Sequence, residues 1–302
     1  MFRRDAFDYG SLEVTPAAAL AFAVFAASTS AILVRWSVAP SSVAALYRVV
    51  FTTVIVAPIA VLWHRDEFAR LSWADLAGAT VAGIALAVHF AAWFESLNYT
   101  SVAASVTLVQ TQPLFVAIGA ALVLGEHVDR RTVLGIIVAI GGAAVMSFGG
   151  AGEAPIADAT LYGNGLAILG AITVAGYVLA GRSIRQRVSL FPYVTVVYVA
   201  CAVTLFVLVG VQGHDYLAYP PREWLLFLAM AVGPGVLGHT VVNWVLKHLE
   251  SVVVSVAWLG EPVGSTALAF VLLSEVPDVV TVVGGTVVLT GIYWTTVRRQ
   301  LE

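Results

Sequence analysis

The chain reads as long apolar runs separated by short polar connections. A helix crossing the bilayer core needs about 20 mostly apolar residues. Ten runs fit that requirement: 16–36, 41–63, 74–96, 101–124, 132–149, 161–181, 190–211, 223–246, 251–273 and 279–297. The helices are apolar all round, so periodicity does not separate lipid-facing from inward-facing sides. The longest connections, near 64–73, 150–160 and 212–222, leave no room for a soluble domain. The first run continues from Ala17 to Val34 and follows a segment holding Asp5, Asp8 and Glu13 beside Arg3 and Arg4. It therefore reads as a retained span rather than a signal peptide.

Composition sharpens this picture. Hydrophobic residues make up 60% and charged residues 11% of the 302, against about 45–50% and about 25% in soluble domains. Mean hydropathy is +0.93. Too few charges remain to cover a soluble surface, which excludes a soluble enzyme, a disordered chain and a coiled-coil rod. A net charge of −3 gives no reason to expect a nucleic-acid partner. One cysteine, Cys201, excludes an internal disulfide and a cysteine metal cluster.

The placement of Lys and Arg predicts topology. Twelve of the 15 lie in one set of connections: Arg3, Arg4, Arg65, Arg70, Arg130, Arg131, Arg182, Arg185, Arg187, Lys247, Arg298 and Arg299. The opposite connections hold Arg35 and Arg222, and Arg48 lies inside a span. This bias puts both termini in the cytoplasm, as an even number of spans requires. The predicted fold class is an all-α integral protein of the cell membrane with ten transmembrane helices.

An offset of 149 residues superposes the second half on the first. Pro113 falls on Pro262, Glu126 on Glu275, Asp129 on Asp278, Thr132 on Thr281, Gly135 on Gly284 and Gly142 on Gly291. Comparing 97–148 with 246–297 gives 11 identities in 52 positions. The organisation predicted is an N-terminal cytoplasmic segment (1–15), a first repeat (16–149), a linker (150–160), a second repeat (161–297) and a cytoplasmic tail (298–302). Five spans per repeat is odd, so the second copy enters the membrane from the other side. Inverted repeats are an architecture of secondary transporters, with a site near the midplane. Rocking one half against the other would then open that site alternately to each side.

Several short motifs recur in this frame. They are Ser96-Leu97-Asn98-Tyr99-Thr100-Ser101, Gln112-Pro113-Leu114-Phe115 and Leu124-Gly125-Glu126, then Gly260-Glu261-Pro262-Val263 and Leu273-Ser274-Glu275. Together with Tyr47-Arg48 they resemble the EamA repeat of the drug/metabolite transporter superfamily, over roughly 16–297. Ser274-Glu275 departs from the usual Gly-Glu. The resemblance implies a ten-helix permease with a central cavity, moving small metabolites and often exporting them. Substrates across that superfamily include amino acids, nucleotide sugars, sugar phosphates and drugs.

Polar groups at membrane depth are costly and need a partner, water or a substrate. Glu261 lies near the midplane, ten residues into its span, beside Pro262. That proline should open the carbonyl of Trp258 one turn back. Gln112-Pro113 repeats the interruption in the first half, and paired interruptions point to a transport site. Glu261 is expected to bind a substrate amine or carry a coupling proton; a structural hydrogen bond is the competing reading. Arg48 is expected to hold a carboxylate or phosphate in a bidentate contact, or else to pair with Glu95. Gln110 and Gln112, two apart, should point in different directions, one lining the cavity and one packing. His239 and Asn243 share a helix face after Gly233-Pro234-Gly235, where Pro234 should kink the helix. His89 and Trp93 form a similar pair on the third span. Trp258 is a candidate cavity wall. For these five polar and aromatic positions, interhelical packing and hydrogen bonding stand as the alternative to a site role. Trp36, Trp63, Trp73, Trp224 and Trp294 read as interfacial belts. Glu126 and Glu275 read as helix caps or anchors.

The sequence thus predicts a secondary transporter, probed by saturable counter-transport, with a small-molecule substrate and the bilayer as partners and no cofactor. A homodimer stays open. Arg48 and Glu261 together suit a zwitterion, which favours amino acids. A channel or sensor is the alternative class. A membrane-embedded enzyme would need a motif such as H-E-x-x-H or G-x-S-x-G, and neither occurs.

Overall fold

The computed structural model describes residues 15–96, 99, 105, 108–149, 157–274 and 276–296. The expectations for Glu275, both terminal segments and most of the 150–160 linker lie outside these. In chain order the main helices are α1 (Pro16–Trp36), α2 (Ser41–Trp63), α3 (Trp73–Ser96), α4 (Gln112–Leu124) and α5 (Arg130–Gly149). The second half supplies α6 (Ala157–Arg185), α7 (Leu190–Val211), α8 (Pro221–Val245), α9 in two pieces (Ser251–Trp258 and Glu261–Leu273) and α10 (Val279–Thr296). No strand occurs among the described residues. Seven of these helices contain apolar stretches of 21 to 25 residues, long enough to cross a membrane; α4 and α10 are shorter apolar helices.

The helix ends follow from local chemistry. Thr15 caps α1 by accepting a hydrogen bond from the Ala18 amide at 3.2 Å, with Pro16 in the first turn. α4 and α9 both end in a left-handed residue, Gly125 (φ 66°) and Ser274 (φ 56°). These sit at equivalent positions of the repeat. α5 and α10 both begin with an aspartate cap. Asp129 Oδ1 accepts from the Thr132 amide and Asp278 Oδ1 from the Thr281 amide, each at 2.7 Å. Here glycine is replaced by serine, yet the αL termination is kept.

Around Pro234, Ala231–Thr240 winds as a π-helix. Thr240 Oγ1 donates to the Gly235 carbonyl at 3.3 Å, and Thr52 Oγ1 donates to the Ala231 carbonyl at 3.2 Å. Proline and π winding are both causes of bending in a helix.

Burial is inverted relative to a soluble protein. Leu122, Val203, Phe206 and Trp294 are all more than half exposed, whereas Arg48 is 6%, Glu223 1% and Asn243 0% exposed. Large apolar side chains cover the outside, as lipid demands, while the few buried charges sit within a largely apolar core. Trp63 and Trp73 are exposed as an interfacial belt needs. Trp224 is not: it packs edge-on against Tyr47 and Phe227, and its indole N–H donates to the Tyr219 carbonyl at 3.2 Å.

The two halves interdigitate. α1 packs on α8 and α9; its counterpart α6 packs on α3 and α4; α2 packs on α7, and α5 on α10. The extensive contacts therefore join one half to the other, so rocking of intact sequence halves would break all of these interfaces together. Interfaces between the halves, more than those within each, hold the helices together in this conformation. α5 and α10 meet through glycines. A Cβ on Gly291 would stand 2.5 Å from the Ala139 amide nitrogen, and one on Gly142 2.7 Å from the Gly284 carbonyl oxygen. Such close approach is what small residues allow in membrane helix pairs.

Gly291→Ala should therefore cost about 1–3 kcal/mol by overpacking. Gly141→Ala, with nothing within 4 Å of its added Cβ, should leave stability unchanged. Thermal unfolding of the detergent-solubilised protein would show a Tm drop of several degrees for the first variant only.

Candidate functional site

The two proline positions become breaks rather than kinks. In α9 the winding tightens after Trp258, with the Leu259 amide donating to Val256 O (3.0 Å) and the Gly260 amide to Ala257 O (2.9 Å). A new helix then starts at Glu261 with Pro262 in its first turn. In the first half the Thr111 amide donates to Leu108 O at 3.1 Å, and helix resumes at Gln112 with Pro113 in its first turn. Proline needs no amide partner in a first turn, so it starts the second piece without loss.

α1 braces the α9 break. Ser28 Oγ donates to the Glu261 carbonyl at 3.2 Å, and Ser265 Oγ donates to the Ser28 carbonyl at 3.0 Å. A Cβ on Gly264 would come within 2.2 Å of Ser28 Oγ, so only glycine admits this approach. The polar run Ser28-Thr29-Ser30 in α1 was a legible signal for this brace that the sequence reading passed over.

Both breaks border one cavity of about 190 Å³. Arg48 and Glu261 line it, as do Gln110, Gln112, His89 and His239. Trp93 and Trp258 complete the walls with Phe90 and Tyr177. Gln110 and Gln112 both face this space, against the expectation that one would pack. The break lies between them, so the helical rotation that would separate two residues on a continuous helix does not apply. Phe90 and Tyr177 were not found from sequence, since nothing marks an aromatic in an apolar span as cavity-lining.

Asn243 does not line the cavity. Its Nδ2 donates to the Tyr177 hydroxyl at 2.5 Å and to the His239 carbonyl at 2.8 Å, and it is fully buried. It positions a wall residue. Pro262 borders the cavity; Pro113 and Pro234 do not. Glu95 lines a different cavity with Gln212 and His214. The carboxylate sharing a cavity with Arg48 is thus Glu261.

Arg48 is held in place by its neighbours. Its NH1 donates to Ser30 Oγ at 3.3 Å, and its guanidinium carbon lies 4.8 Å over the Phe90 ring. His89 Nδ1 donates to the Gly170 carbonyl at 2.9 Å, which leaves Nε2 as an acceptor in the neutral ring. Its ring stacks on Trp93 at 5.9 Å. His239 packs against Trp258 at 5.1 Å. Among the described buried atoms without a protein hydrogen-bond partner are Trp93 Nε1, Gln112 Oε1 and His239 Nδ1. All three belong to cavity-lining residues. Buried polar groups are nearly always partnered, so these three can meet a polar occupant; Tyr193, Thr195 and Asn243 hold further such atoms away from the cavity lining. No group of three or more His, Cys, Asp or Glu suited to a metal ion occurs among the described residues.

Away from the cavity, Glu126 joins three elements. Its Oε1 accepts from Arg182 Nε (3.1 Å) and the Ser251 amide (3.0 Å), and its Oε2 from Ser251 Oγ (2.8 Å). It caps the start of α9 from the end of α4.

This arrangement, two broken helices around a largely apolar cavity that holds one arginine and one glutamate, can be compared with known proteins. The chain matches the EamA-like transporter family twice, at residues 15–148 and 161–297. The chain belongs to that family. It is a multi-pass membrane protein of a transporter type. An uncharacterized transporter of Archaeoglobus fulgidus is 25% identical over 246 residues, covering 80% of this chain and 82% of its own. The pseudopaline exporter CntI of Pseudomonas aeruginosa is 25% identical over 210 residues, covering 69% and 71% respectively. The uncharacterized transporter YetK of Bacillus subtilis is also 25% identical, covering 68% and 62%. A solved structure described only as the crystal structure of a protein aligns with a TM-score of 0.80 at 21% identity, covering 95% of this chain and all of that one. This last likeness concerns the fold alone.

Coupling between Arg48 and Glu261 is measurable without any substrate. Arg48→Ala leaves a carboxylate in a buried cavity without its cationic neighbour, and Glu261→Gln does the reverse. The double variant should be less destabilised than the sum of the two, by about 0.5–3 kcal/mol. Additive Tm shifts would show that the two groups do not interact.

Proposed function

We propose that the protein is a secondary active exporter of small zwitterionic metabolites, amino acids in the first instance. It works by alternating access around the cavity between the two helix breaks. In this reading ten helices cross the cell membrane, both termini lie in the cytoplasm, and helices drawn from both repeats form each moving unit. The observation that carries the proposal is the sharing of one cavity by Arg48 and Glu261 at the breaks.

The chemistry follows from charge and size. A guanidinium offers a planar pair of donors to a carboxylate, and Glu261 offers an acceptor to an ammonium group. Trp258 and Trp93 supply apolar faces for the carbon skeleton and for a cation. About 190 Å³ is below the ~300–1,000 Å³ of pockets that hold drug-sized molecules, which favours a small metabolite. The Pseudomonas relative is named an exporter, which supports outward flux. No Walker motif occurs, so proton or solute exchange is the proposed driving force.

Counterflow in proteoliposomes tests this reading. Vesicles loaded with unlabelled amino acids should accumulate a labelled one saturably, which a channel would not do. Glu261→Gln should reduce that accumulation by about 10- to 100-fold, the loss of one charge-assisted hydrogen bond. Arg48→Lys should raise KM about tenfold while the protein stays folded, since a lysine cannot reproduce a bidentate contact. Unchanged counterflow in both variants would remove the site assignment. No counterflow with any amino acid would remove the substrate class.

A further inference from the structure

We infer that the central cavity communicates with the face carrying the Ser37–Pro40 loop by a route past Arg48, and that Glu223 is the positioning residue that straps this route shut.

Three cavities lie in series. Arg48 lines the central one and also a small one of about 20 Å³. The small cavity shares Ala39, Ser41 and Phe94 with a third, polar cavity of about 370 Å³ that holds Glu95, Gln212 and His214. The middle space has room for about one water molecule. It is a narrow constriction between two wider chambers, with Phe94 and the flexible Met230 among its walls.

The same loop that walls the constriction is tied down by one carboxylate. Glu223, 1% exposed at the start of α8, accepts from Ser37 Oγ at 2.5 Å and from the Val38 amide at 3.3 Å. Ser37 Oγ in turn accepts from the Ala39 amide at 3.2 Å. Ser37 and Ala39 both line the constriction. Strap and plug are therefore one piece of chain, four residues long between α1 and α2. Opening this passage requires the loop to leave Glu223.

The repeat carries the counterpart on the opposite face. Asp75, at the start of α3, accepts from Arg187 Nε at 2.6 Å. Arg187 follows α6 and lies 149 residues beyond Val38; Asp75 is one residue off the equivalent of Glu223. Each half thus contributes an acidic residue at a helix start that holds the loop of the other half. A carrier with a single central site needs a closure of this kind on each side.

That this passage serves substrate release rests on the transporter reading; the strap itself does not, and its test uses no substrate. Cys201→Ala removes the native thiol, and Ser265→Cys places one on the central cavity. Leu217→Cys, at a position 75% exposed, marks the face of the Ser37 loop. A membrane-impermeant maleimide is applied to vesicles of either orientation. Glu223→Gln and the milder Ser37→Ala should each speed labelling at position 265 about tenfold or more from the Leu217 face, the weakening expected for a charge-assisted hydrogen bond. Neither should speed it from the other face, where Arg187→Ala should act instead. Unchanged rates in both Glu223→Gln and Ser37→Ala overturn the proposal, and so does an equal rise from both faces. Counterflow by the unaltered protein decides the transporter reading separately.

Discussion

A helix interrupted inside hydrocarbon leaves backbone groups that no solvent will satisfy. The structure is arranged around two such interruptions. At each one the backbone tightens into two short turns, and the next residues restart a helix with proline where its missing amide costs nothing. α1 then supplies a serine hydroxyl to a carbonyl of the second break and takes one back from Ser265. Only because these breaks are satisfied can Gln110, Gln112 and Glu261 turn toward a common space. The shared cavity is the product of that bracing, and its largely apolar lining is what makes its few charges count.

Much of the architecture was legible because lipid imposes a simple code. Apolar runs of membrane-crossing length, proline-bearing pairs at one offset, and isolated charges at mid-span each have one dominant physical meaning. Arg48, Glu261, His89, His239 and both indoles were therefore visible in the sequence as cavity candidates. What the sequence hid depends on geometry that composition does not encode. The direction of Gln110 relative to Gln112 followed from a local change of winding. Asn243 looked like a site residue because it shares a face with His239, but its amide is consumed by Tyr177. Glu95 was the nearest carboxylate to Arg48 along the expected depth, yet the helices direct the two into different cavities. Trp224 sat at a span end like its belt-forming counterparts, and tertiary packing drew it inward. The π-helical stretch of α8 is a further case, since Gly-Pro-Gly marks an irregularity without saying how the helix winds through it.

The pseudo-symmetry extends to details that carry no sequence identity. Gly125 and Ser274 differ, but both adopt the left-handed conformation that ends their helices. Gln112 and Glu261 differ, but both open the second piece of a broken helix. The backbone plan has been kept in both halves while the side chains at its centre have diverged. A neutral amide in one half and a carboxylate in the other make the cavity electrically lopsided, and a zwitterion has one preferred way to lie in it.

The interdigitation of the halves has a consequence for biogenesis. During synthesis α1 enters the bilayer long before α8 and α9, on which it packs, have left the ribosome. Ser28 must spend that interval without the Glu261 carbonyl and the Ser265 hydroxyl. Contacts so distant in sequence are slow to form, and a half-made chain exposes unsatisfied surface. The first five helices are consequently a held intermediate rather than a finished unit. A break in translation after α5 would leave a fragment whose most polar faces look out onto lipid, which is the surface that membrane quality control recognises.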